Sequence, residues 1–139
     1  MRYDFTAADD LHPGADKILE VEILDRDPDL PNGTPDPDAV PIDVSAFTLA
    51  FVVGIDGQPP LLAKSTADAT QIWVVGVYTA VRATNTQRVR IRILANDTRG
   101  IPLRAGQALR YEHALTREDL GSEDVLMYGE FPFRRSVAA

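Results

Sequence analysis

From residue 40 to residue 53 the chain reads Val-Pro-Ile-Asp-Val-Ser-Ala-Phe-Thr-Leu-Ala-Phe-Val-Val. Phe47, Leu49, Phe51 and Val53 share one parity, so an extended backbone turns all four to the same face. Pro41 has a fixed φ and no amide hydrogen, which places it ahead of the strand and not within it. Asp43 and Ser45 can hydrogen-bond nearby backbone and shape the turn that leads in. The pattern predicts a buried strand at the centre of a β core.

Other stretches repeat the period of two. Leu19, Val21 and Ile23 alternate with Glu20 and Glu22, and Asp25-Arg26-Asp27-Pro28 stops the run. Residues 61–64 suggest a short strand. Residues 71–81 read as a longer one, with Gly76 inside it marking a bulge or a close backbone approach. Val89, Ile91 and Ile93 alternate with Arg88, Arg90 and Arg92. Residues 107–116 place Leu109, Tyr111, His113 and Leu115 on one parity, and residues 124–133 form a last strand. Residues 96–100 suit a helical turn or a β-turn. Six or seven strands without a long helix predict an all-β antiparallel sandwich or barrel.

At 139 residues with 45% apolar side chains, one domain can bury a core without staples. The expected organisation is an arm over residues 1–16, a β-sandwich over 17–134 and a tail over 135–139. The arm carries no apolar segment of the signal-peptide kind, and no apolar run is long enough to span a bilayer. Residues 25–38 contain Pro28, Pro31, Pro35 and Pro37, which exclude helix and central strand. A loop of this length is either functional or loosely ordered.

The formal charge of −7 argues against generic nucleic-acid binding, which needs clustered Lys and Arg. The absence of cysteine excludes a disulfide framework, a thiolate metal site and a cysteine nucleophile. Asp25, Asp27 and Asp29 have the spacing that opens a calcium loop, but the positions that should hold Gly and Glu hold Leu30 and Asp36. A solvated acidic loop fits better, and no cofactor is expected. The two histidines, His12 and His113, lack a nucleophile elbow such as Gly-x-Ser-x-Gly. His113 sits on a buried parity and reads as a packed residue. Acid pairs such as Asp9/Asp10 and Glu123/Asp124 do not by themselves make a glycosidase. No catalytic residue is assigned.

Arg88, Arg90 and Arg92 form a basic row on one strand face. Cross-strand pairing with acids or a protein interface suits that row better than nucleic acid does. Trp73 and Tyr78 lie on opposite parities, so one of them can face outward. That leaves a rival reading as a carbohydrate-binding sandwich, with or without calcium. The lack of an aromatic cluster within one loop counts against it.

The order of elements resembles a known family. The turn and strand at residues 40–51 are followed by Asp56-Gly57 and the arginine strand. Then come Asp97-Thr98, Leu103-x-Ala105-Gly106, Leu109-x-Tyr111-x-His113-x-Leu115 and Gly129-Glu130-Phe131. Together they resemble the small immunoglobulin-like domain at the N-terminus of the baseplate upper protein of lactococcal phages, and related virion proteins of tailed phages. The resemblance spans residues 17–134. It implies an immunoglobulin-like sandwich of about seven strands and a structural, non-enzymatic role in the virion. The domain would dock fibres or receptor-binding proteins onto a tail, baseplate or head. The implied partners are other virion proteins, in a symmetric homo-oligomer, with no nucleic acid and no membrane. The loop over 25–38 and the stretch over 65–87 are longer than the family pattern, and the arm has no counterpart. The interface candidates are therefore Tyr3, Phe5, Asp27, Asp29, Trp73, Arg88, Arg90 and Arg92.

Overall fold

The computed structural model describes residues 1–5, 16–26, 29–31, 34, 36–55, 57–98, 108–118 and 124–134. Its strands are β1 (Lys17–Val21), β2 (Leu24–Asp25), β3 (Val40–Pro41), β4 (Leu49–Gly54), β5 (Leu62–Ser65), β6 (Ile72–Val75), β7 (Arg88–Ile93), β8 (Ala108–Arg117) and β9 (Asp124–Arg134). One helical turn, α1 (Ala95–Thr98), follows β7. Seven of the described strands have four or more residues, matching the number expected.

All named strands pair antiparallel. Three strands form a sheet in the order β1-β7-β6, and four form another in the order β5-β4-β8-β9. The pair β2-β3 joins the two ends of the proline-rich loop. Inward residues of both larger sheets meet in a single cluster: Leu19, Val21, Ile72, Val89 and Ile91 from one, Leu49, Phe51, Val53, Leu115, Met127 and Phe131 from the other. The fold is thus an all-β sandwich. Leu49, Phe51 and Val53 are fully buried, as their shared parity predicts, while Phe47 lies ahead of β4 and packs on the core from its margin.

The turn before β4 is held by one carboxylate. Asp43 Oδ1 accepts the Ser45 amide at 3.1 Å, the Ser45 hydroxyl at 2.8 Å and Gln87 Nε2 at 3.0 Å. Those donors, Gln87 first, hold the Asp43 carboxyl below its ordinary range. The buried Gln87 also accepts the Val44 amide through Oε1 at 3.1 Å, so β7 is tied to the turn that starts β4.

Two irregularities interrupt the strands, and the first is the close backbone approach expected at Gly76. The strand expected over 71–81 ends at Val75, because Gly76 takes φ +80° and a Cβ there would stand 2.1 Å from the Thr86 carbonyl oxygen. Val77 and Val81 beyond it are exposed, although their apolar character suggested a continuing strand. In β9 the register slips: Leu115 faces Met127 but Thr116 faces Val125, leaving Leu126 as an extra residue. The bulge lets both Leu126 and Met127 turn inward.

The first five residues, the start of the expected arm, are tied down along β9. They run parallel to β9 and extend its sheet by one more row. The Tyr3 amide donates to the Tyr128 carbonyl at 2.8 Å, the Phe5 amide to Glu130 at 3.0 Å, and the Tyr128 amide to Met1 at 2.9 Å. Residues 6–15 and the tail over 135–139 lie outside the described residues.

Candidate functional site

The seam between the arm and β9 is built around a missing side chain. Gly129 is the cross-strand partner of His113. A Cβ on Gly129 would lie 2.3 Å from the Tyr3 carbonyl oxygen and 2.7 Å from Asp4 Oδ1. The space it leaves brings the Tyr3 carbonyl within 2.6 Å of His113 Nε2. A carbonyl oxygen only accepts, so the imidazole proton resides on Nε2. The other ring nitrogen, Nδ1, is buried and has no hydrogen-bond partner. Burial lowers the His113 pKa, since a proton on Nδ1 would be neither hydrated nor paired.

With the Tyr3 carbonyl directed at His113, the Asp4 side chain takes its place on the ladder. Asp4 Oδ1 accepts the Glu130 amide at 2.8 Å, and Oδ2 meets Arg2 Nε at 3.2 Å. Burial acts against the Asp4 charge, but the Glu130 amide and the Arg2 guanidinium outweigh it and hold the carboxyl below its ordinary value. Phe5 then enters the core at 3% exposure. Its ring meets His113 edge-on at 4.9 Å and Phe131 at 5.2 Å between centroids. Phe5, a candidate for an outward interface, is thus a core anchor, because the seam delivers its ring between the sheets. Tyr3 is half-buried and stacks edge-on with Phe5 at 5.0 Å.

The arginine row faces outward from the three-stranded sheet. Arg90 lies opposite Glu20 in register and meets its carboxylate at 2.8 Å. Arg88 meets Glu22 at 3.3 Å, and Asn85 Nδ2 donates to the same carboxylate at 2.7 Å. Arg92 instead stacks its guanidinium over Trp73, 5.2 Å from the ring centre, with the exposed Ile18 opposite it in register. Glu20 on β1 and Glu22 just beyond its end therefore pair with two members of the row, and an aromatic ring supports the third. Tyr78 does not share a platform with Trp73. It lies beyond Gly76 and donates its hydroxyl to the Pro41 carbonyl at 3.1 Å.

Described residues of the proline-rich loop accept hydrogen bonds from two arginines, and Arg82 donates to the Asp36 carbonyl at 3.2 Å. Arg26 donates through Nε to the Thr34 carbonyl at 2.9 Å, through one terminal nitrogen to Leu30 at 3.1 Å, and through the other to Pro31. Asp25 and Asp29 are exposed, and Asp27 lies outside the described residues. No group of three or more potential metal ligands occurs among the described residues. Across the outer face of the four-stranded sheet runs an open depression of about 780 Å³, lined by Arg2, Val52, Glu112, Tyr128 and Glu130 and edged by the exposed Ile55 and Val125. No described helix is long and apolar enough to cross a membrane.

Of the residues in the seam, the sequence marks only Tyr3 and Phe5 as site candidates, and His113, Gly129, Arg2, Asp4, Tyr128 and Glu130 emerge from the structure. The register His113–Gly129 follows from pairing the last two strands, and a glycine opposite a buried histidine is the one local signal of it. Searches against protein-family models, curated proteins and solved structures return no match.

Proposed function

We propose that this chain is a non-enzymatic structural module of a tailed-phage particle. It acts as an adaptor that docks fibres or receptor-binding proteins to a tail, baseplate or head, and works as a symmetric homo-oligomer among other virion proteins. The observation that carries this reading is the docking of residues 1–5 along β9. The chain already recruits a separate extended segment by strand addition, with backbone bonds for affinity and one aromatic anchor for register. A sheet edge engages an extended partner in the same way. The sequence resemblance supplies the virion context. Trp73 with Arg92, and the apolar rim of Ile55 and Val125, add surfaces of the composition that protein interfaces favour.

The reading is tested by mass spectrometry of purified phage particles and light scattering of the isolated protein. A stoichiometric copy number compatible with particle symmetry is the expected result. A chain absent from particles and monomeric at every concentration overturns it.

A further inference from the structure

Every contact that holds residues 1–5 in place is blind to which copy the segment comes from. The Tyr128 and Glu130 carbonyls accept the Tyr3 and Phe5 amides, His113 reads the Tyr3 carbonyl, and the Phe5 ring packs against His113 and Phe131. Ten residues, 6–15, connect this segment to Asp16 at the start of the opposite sheet. Fully extended they reach about 33–36 Å, against roughly 10 Å between facing sheets. The connector's length alone does not tie residues 1–5 to the chain's own β9.

We propose that the seam is a joint between copies: residues 1–5 of one chain seat on β9 of a second, delivering Phe5 into its core. This rests on the assembly reading above and names its partner as a second copy of this chain. Exchange of an identical element creates no new contact and breaks none, so it carries little thermodynamic cost once two copies are close. In dilute solution a short connector favours the closed monomer, because it presents the segment at an effective concentration near the millimolar range. Exchange therefore takes over where copies are held side by side, as in a symmetric particle. The core of each copy is complete only when some copy's Phe5 fills its socket.

The absence of cysteine makes a clean test possible. Arg2 and Tyr128 are bridge partners and line the same outer depression, so thiols at both positions can join. Two full-length variants, Arg2→Cys and Tyr128→Cys, are mixed, unfolded together and refolded at high concentration in an oxidising buffer. Mass spectrometry then counts the linked dimers. Random pairing makes the mixed dimer equal to the two homodimers together. Exchange makes it exceed them, by a margin that grows with concentration. The double variant Arg2→Cys/Tyr128→Cys checks that the seam forms, and under exchange yields linked dimers as concentration rises. A mixed dimer no more abundant than the homodimers, with the double variant closing only within single chains, overturns the exchange. Particle copy number would still stand or fall on its own measurement.

Discussion

His113 Nε2 lies 2.6 Å from the carbonyl oxygen of Tyr3, a residue 110 positions earlier in the chain. That bond gives the imidazole one tautomer, and the burial of unpartnered Nδ1 penalises the charged form. In the unfolded chain the same ring takes up a proton near pH 6.5. Between that value and the lowered folded value, the unfolded state holds more protons, so stability rises with pH, by at most about 1.4 kcal/mol per pH unit. The contribution is full above about pH 6.5 and fades as pH falls through it. Urea melts across this window should show the wild-type midpoint falling on acidification. His113→Gln keeps an amide donor but cannot titrate, and its midpoint should vary less. Parallel curves for the two proteins would refute the assignment.

Gly129→Ala should lift the N-terminal segment off β9, since the added methyl meets the Tyr3 carbonyl, which is backbone, as well as Asp4 Oδ1. A loss of about 1–3 kcal/mol is expected. Amide exchange should speed up at Tyr3 and Phe5 before it does so at Phe51. Unchanged protection at those two amides would contradict the geometry.

Phe5→Ala removes an aromatic ring from among Phe131, His113 and Tyr3. Cavity formation in such a site costs about 3–5 kcal/mol. A calorimetric shift as small as that of an exposed substitution would mean the segment is undocked in solution.

Lys64 and Asp97 form an unequal pair. The ammonium is buried at 6% exposure, the carboxylate is 22% exposed, and they meet at 2.6 Å. Asp97→Ala leaves a buried cation without its partner and should cost about 3 kcal/mol or more. Lys64→Met leaves a carboxylate that reaches water and still accepts the Leu94 amide, so it should cost less. Chemical denaturation of the two variants checks the order.

On the arginine face, a double-mutant cycle on Trp73 and Arg92 should return a coupling of about 0.5–1 kcal/mol that survives salt better than an ion pair. The exposed Arg90–Glu20 pair should give about 0.2–1 kcal/mol and weaken with salt.

Where local alternation and burial coincide, the fold is legible from residue types. Leu49, Phe51 and Val53 announce β4, and Val89, Ile91 and Ile93 announce β7, because each has a partner sheet on one side and water on the other. The pairing of arginines with Glu20 and Glu22 follows from the same alternation on the outward side. Gly76 was visible as an irregularity, but whether it bends a strand or ends it depends on the Thr86 carbonyl pressed against it. The seam leaves the weakest mark in the sequence. Residues 1–5 carry too few apolar positions to show a period, and their partners are strands more than a hundred residues away. Phe5 therefore read as a surface aromatic until β9 was in place to receive it.

The same distance orders events in time. Asp4 and Glu130, joined by a hydrogen bond, are 126 positions apart. A ribosome releases the segment bearing Phe5 long before it has made the strand on which that segment rests. Until β9 emerges, the Phe5 ring has no seat in the core. Seating Phe5 on β9 is a contact of high sequence separation, the kind that forms slowly.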